Sequence, residues 1–155
     1  MKKRSDDIRD ELAKVAREYN IPATTEPTDY VEFYKSGKKQ RPDIKFKTTP
    51  VLTIDVTVRN ETEEVDHAAS KGAEEKIALH TEPVNRLGHV FKPFAMETHG
   101  HMHESCSDTI DYLARAVIPS QSYGFKRAMF NAAAMTLAKG RAIALQIAHA
   151  RQLRK

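Results

Sequence analysis

Two aspartates twelve positions apart, Asp43 in RPDIKF and Asp55 in VLTIDVTV, are the residues of this 155-residue chain best placed to do chemistry. Around the second, Leu52, Ile54, Val56 and Val58 alternate with Thr53, Asp55 and Thr57, the period of a strand whose polar face carries the carboxylate. One strand earlier, Ile44 and Phe46 share an apolar face, which puts Asp43 and Lys45 on the opposite one. Residues paired across a ladder point to the same side. The register that sets Ile44 against Ile54 therefore sets Asp43 against Asp55 and leaves Thr48 to Pro50 as the loop. Two carboxylates on neighbouring strands, with Cα atoms about 5 Å apart, repel unless something neutralises them. A hard divalent cation does so. Mg²⁺ takes one or two carboxylates, waters and a substrate phosphate, and there it polarises a phosphodiester and acidifies an attacking water. The same residues also read as ordinary exposed strand or turn aspartates, a reading opposed by the rarity of Asp inside an apolar alternation.

Positioning those strands requires a sheet and helices to cover it. A first helix is expected from Ser5 or Asp6, with Asp6, Asp7 and Asp10 at its positive end and an apolar stripe of Ile8, Leu12, Val15 and Tyr19; Asn20 and Pro22 end it. A strand is expected around Tyr30 to Tyr34, followed by a Ser36-Gly37 turn, then strands over 41–46 and 51–58. The pattern next gives a helix from His67 to His80 followed by Pro83, and a buried strand from His89 to Glu97, in which Pro93 points to an edge or a bulge. A helix capped by Ser107 or Asp108 should run to Ile118 and stop at Pro119, and a long one should span Ser122 to Ala150, breaking near Gly140. This order predicts one α/β domain over 1–155, with a mixed central sheet, a core over about 5–118 and basic C-terminal helices over 120–155.

On the helix after the second aspartate strand, Ala69, Ala73 and Ile77 form the sheet-facing stripe at about 100° per residue. Lys76 borders that stripe, while Lys71 points away. Lys76 is thus either a partner for the aspartates or a surface lysine beside Glu74 and Glu75. His99, His101, His103 and Cys106 lack the spacing of a zinc site and read as loop residues.

Composition limits the function classes. Hydrophobic residues at 40% and charged residues at 30% describe a folding chain, and no apolar run approaches a membrane span. One cysteine excludes an internal disulfide framework and fits a reducing, intracellular setting for a soluble protein. Residues 112–155 contain eight Lys and Arg and no acid, against a net +4 for the whole chain, so the rest carries −4. Such asymmetry suggests a polyanionic partner, and nucleic acid before membrane, because no strong basic-aromatic stripe accompanies it. The alternative is a solvated basic helix face. Lys126, Arg127, Lys139, Arg141, Arg151 and Arg154 are the candidate phosphate contacts.

A Pro-Asp followed some twelve residues later by an acid in a strand resembles the PD-(D/E)xK nuclease superfamily. RPDI…IDVTV, the Ala-rich helix with lysines, FKPFAMETHG and the terminal ALQIAHARQL are similar to the restriction-like endonuclease domain of site-specific non-LTR retrotransposons, over about Arg4 to Arg151. That resemblance implies a restriction-endonuclease-like α/β fold and Mg²⁺-dependent hydrolysis of DNA, with Mn²⁺ able to substitute. It implies metal ligands Asp43 and Asp55 with the Val56 carbonyl, a catalytic lysine from the following helix (Lys76, or Lys71), and an additional acid on the first helix, for which Glu11 is the candidate beside its reading as a solvated charge. It departs from the superfamily at Thr57, where the usual lysine would stand, and at Arg4-Ser5, where this group often has Arg-His. The reverse transcriptase and zinc knuckle that precede such domains are not in the sequence. The expected partner is DNA, with no membrane and a homodimer left open; the setting is nuclear for a retrotransposon domain. A catalytically inactive nucleic-acid-binding module of the same fold and a structure-selective junction resolvase stand as alternatives.

Overall fold

In the computed structural model, residues 2–35 and 40–153 are described. Alternation and helical periodicity meet in a four-stranded mixed sheet of order β1-β2-β3-β4, with β1 Ala23–Thr25, β2 Ile44–Phe46, β3 Leu52–Arg59 and β4 Val90–Glu97. β1, β2 and β3 are antiparallel, and β3 and β4 are parallel, connected by helix α2, His67–Asn85. Helices α1 Lys2–Glu18, α3 Glu104–Ala114 and α4 Ser122–Leu153 complete the order.

The expected parity holds. Ile44 pairs with Ile54 and Phe46 with Leu52, and these four are fully buried with Val56, Val58, Phe94 and Met96 in one core. Ile8, Leu12 and Val15 of α1, Ile110 and Leu113 of α3, and Phe125, Met129, Ala133 and Leu137 of α4 close that core from the same side. The other face carries Thr53, Asp55 and Thr57, and it is buried too, because α2 lies on it. Small residues allow this. Ala69 and Ala73 pack on Ala95, and a Cβ on Gly72 would stand 3.0 Å from the Thr57 methyl. At the edge, Pro93 pairs with Asp55 on β4, where a missing N–H is tolerated.

Several expectations need correction. The strand around Tyr30 to Tyr34 is a 3-10 turn, Val31–Phe33; its aromatic residues fold into a second cluster with Val84 and Phe91, and the additional strand is β1. The Ser36-Gly37 turn lies outside the described residues. α1 starts at Lys2, so Ser5 and Asp6 lie inside the helix and do not cap it. It ends where Asn20 takes a left-handed backbone, φ 67°. α2 runs through a buried Pro83 to Asn85; lacking an N–H, Pro83 forgoes the bond to the Leu79 carbonyl one turn earlier, and the helix ends two residues later. α3 begins at Glu104, capped by His103, whose side chain accepts from the Ser105 N–H. α4 is unbroken through Gly140, where a Cβ would lie 3.3 Å from Cγ of Arg4. That glycine serves a close approach of α4 to α1 and does not mark a break. Among the described residues no helix is long and apolar enough to cross a membrane.

Candidate active site

Asp43 stands just before β2, where its amide donates to the Ile54 carbonyl at 3.0 Å. Its carboxylate turns back over the strand end and its Oδ2 accepts from the Val56 N–H at 2.7 Å. Asp55, one residue earlier on β3, is 5% exposed. The two carboxyls are near enough to interact electrostatically. Asp55 Oδ2 also receives Lys76 Nζ at 3.0 Å and lies 3.4 Å from His80 Nε2.

Burial and the neighbouring charge of Asp55 push the Asp43 carboxyl up to about 8. Burial acts the same way on Asp55, but hydrogen bonds and charge from His80 and Lys76 outweigh it and hold that carboxyl below its usual range. The two shifts run in opposite directions, so a proton taken up by the pair in the absence of a cation belongs with Asp43.

Both aspartates and Val56 line a solvent-connected hollow of about 610 Å³. α1 contributes Ser5 and Asp6, the segment before β2 contributes Arg41, and α2 contributes Lys76 and His80. Glu26 also lines it, but its carboxylate engages Arg9 and Arg41.

Of the expected site residues, Asp43, Asp55, Val56 and Lys76 come together in this hollow. Lys71 does not: it is exposed, on the far side of α2 near Glu75. Glu11 lines a separate hollow with Asp7, Asp10 and the middle of α4, and the α1 acid that does reach the aspartate hollow is Asp6. Ile77, expected in the buried stripe of α2, is 46% exposed; the stripe continues instead through His80, which is 1% exposed. His80 was missed because the helix was expected to end there. Its signal was present, at the position one turn beyond Lys76 on the same face.

The basic residues of α4 separate into groups. Arg127, Arg141 and Arg151 are exposed, whereas Lys126 pairs with Asp111 at 3.2 Å. Lys139 shares its hollow with Asp7, Asp10 and Glu11, and Arg154 lies outside the described residues. Exposed Tyr123 and Phe130 flank Lys126 and Arg127, a basic-aromatic stripe that the periodicity of the sequence did not bring out. Beyond β4, His101 Nε2 lies 2.6 Å from Asp66 and His103 Nε2 3.8 Å from it. His103 Nδ1 accepts from Ser105 N–H, so its Nε2 carries the hydrogen of the neutral ring and is no metal donor. Cys106 is not a loop residue: it is buried in α3, its thiol pushed up to about 12 by burial, and it donates to the Ala95 carbonyl. Among the described residues no group of three or more His, Cys, Asp or Glu is arranged to enclose a metal ion. No protein-family model matches the chain, and no curated protein matches it.

Proposed function

We propose that the chain is a metal-dependent DNA endonuclease with a restriction-endonuclease-like fold. The observation that carries this reading is the juxtaposition of Asp43 and Asp55. Two interacting carboxyls stand on the wall of a hollow open to solvent, beside a lysine ammonium. Such a pair is unfavourable unless a cation or proton lies between. The donor set fits Mg²⁺ or Mn²⁺, which need few protein ligands and keep their waters for exchange with a phosphate.

Asp43 and Asp55 would hold the ion, with the Val56 carbonyl as a third oxygen, and the ion would supply charge stabilisation and an acidified water. Asp43 loses its proton on binding. The Val56 N–H fixes one oxygen of its carboxylate and leaves the other for the ion. Lys76, 28% exposed at the mouth of the site, is able to leave Asp55 and meet the negative charge developing on the phosphate. Arg41 and the exposed arginines of α4 add positive charge for the DNA backbone.

Nicking of supercoiled plasmid tests the reading. Wild-type protein should nick with Mg²⁺ or Mn²⁺ and not with chelator. Asp43→Asn and Asp55→Asn should abolish nicking while duplex binding holds or tightens. In single-turnover cleavage Lys76→Ala should be slower by at least about tenfold, or about 1.4 kcal/mol, and Lys71→Ala unchanged. A metal-loaded wild-type protein that leaves plasmid intact overturns the proposal. A slower Lys71→Ala with an unaffected Lys76→Ala overturns the lysine assignment.

A further inference from the structure

His80 is the most deeply buried titratable group near the site, and the chemistry above does not use it. It is 1% exposed on α2, and both ring nitrogens are engaged. Nδ1 lies 2.6 Å from the Tyr34 hydroxyl and Nε2 lies 3.4 Å from Asp55 Oδ2. Tyr34 and Phe91 flank the ring, at 5.7 and 5.0 Å between centroids, and Tyr34 belongs with Val84 and Phe91 to an apolar cluster.

Hydrogen-bond bookkeeping fixes the roles. A carboxylate only accepts, so Nε2 must carry the hydrogen that faces Asp55. Burial and the charge of Asp55 push the Tyr34 hydroxyl above its ordinary range, so it keeps its hydrogen. One hydrogen lies between Tyr34 and Nδ1, and Nε2–H faces Asp55 in either state of the ring.

We propose that His80 is the positioning residue of Asp55: its imidazole, held at Nδ1 by the Tyr34 hydroxyl, presents Nε2–H to Asp55 Oδ2 and keeps that oxygen occupied when Lys76 leaves it. The inference rests on the nuclease reading and deepens it. Two donors converge on one oxygen, and they differ in freedom. Lys76 is 28% exposed on a flexible stem, whereas His80 is locked between two aromatic rings. Only the lysine can swing to a phosphate. The histidine stays, so Asp55 keeps its orientation on the wall of the hollow. The 3-10 turn over Val31–Phe33, ahead of Tyr34, thereby becomes part of the site although it does not line it.

Tyr34→Phe is the informative variant, since it removes one oxygen and keeps the ring in the apolar cluster. Nitrogen-15 spectra of the metal-free protein should show a hydrogen on His80 Nε2 in wild type and its partial loss in Tyr34→Phe. Mn²⁺ affinity, read by calorimetry, should fall by about tenfold in Tyr34→Phe and further in His80→Leu, the scale seen when groups behind a metal ligand are removed. His80→Gln, which restores a donor toward Asp55, should recover most of the affinity lost in His80→Leu. A merely structural role would leave Gln no better than Leu. A His80 with no hydrogen on Nε2 overturns the inference, as does wild-type affinity in Tyr34→Phe. Wild-type protein that takes up no Mn²⁺ at all removes the nuclease reading and the inference with it; the other failures leave that reading standing.

Discussion

At the scale of single residues, the Asp43–Asp55 pair makes the metal-free protein sensitive to pH in a defined direction. Asp43 is pushed up to about 8, so between the ordinary carboxylate range and that value the folded protein holds a proton that the unfolded chain has released. Its contribution to stability therefore falls as pH rises through that window. Asp55, held low, acts oppositely: its contribution is present above the ordinary range and is lost as pH falls toward its folded value. Asn at position 43 keeps an oxygen for the Val56 N–H and removes the ionisation. Asp43→Asn should thus melt higher than wild type at pH 8.5 without metal, and the gap should close by pH 5. Added Mg²⁺ should raise wild type and not the variant. Equal melting temperatures at both pH values would show that the two carboxyls are not in contact in solution. The pairing was legible from parity together with the loop: even registers keep both apolar faces buried, and the one that leaves Thr48 to Pro50 as the loop sets Asp43 against Asp55. The direction of the Asp43 side chain was not legible, since it depends on β2 beginning one residue after Asp43, which leaves the Val56 N–H to the carboxylate.

At the scale of elements, the approach of α2 to the polar face of β3 decides whether Lys76 and His80 reach Asp55. Ala69, Gly72 and Ala73 make that approach close, and Gly72 is the tightest point, with the Thr57 methyl 3.0 Å from where a Cβ would stand. Helix propensity alone favours Ala over Gly by about 1 kcal/mol. Here the clash with a strand residue that cannot move easily should win, as overpacking typically costs about 1–3 kcal/mol. Gly72→Ala should lower the melting temperature by a few degrees, and Thr57→Ser, which deletes the methyl, should reverse the sign of that change. A stabilising Gly72→Ala in the wild-type background would mean that α2 lies further from the sheet. Elements whose apolar period was clear, such as β3, β4 and the stripe of α1, were read correctly. The misread ones failed for identifiable reasons. Tyr30 to Tyr34 carries strand-forming residues but docks through hydrogen bonds from Tyr30 to His89 and Tyr34 to His80, which depend on residues over 40 positions away. Pro83 and Gly140 look like breaks in a linear reading, yet each sits in a helix at a tertiary contact that local propensity does not contain.

At the scale of the whole molecule, charge and the catalytic hollow have to face the same ligand. The link between them runs through α1: Arg4 packs against Gly140 of α4, and the next two residues, Ser5 and Asp6, line the hollow with Asp43 and Asp55. Arg141 therefore follows the point where α4 passes closest to the start of α1. Arg127 and Arg151 are exposed on the same helix, whereas Lys126 is taken up by Asp111 and Lys139 stands among three acids. A count of basic residues overstates the phosphate contacts, because a cation already beside a carboxylate releases less when it meets DNA. Each phosphate contact contributes about −0.9 to the slope of log K against log salt on duplex DNA. The triple change Arg127→Gln, Arg141→Gln and Arg151→Gln should make the slope shallower by about 2 to 3. Lys126→Gln and Lys139→Gln together should leave it nearly unchanged. Fluorescence anisotropy on one duplex between 50 and 200 mM salt measures both. A triple variant with the wild-type slope would remove α4 from the interface and move the electrostatic footprint to Arg41 and the rim of the hollow. A large effect of the two lysines would show that Lys126 leaves Asp111, or that Lys139 reaches a phosphate, when DNA arrives.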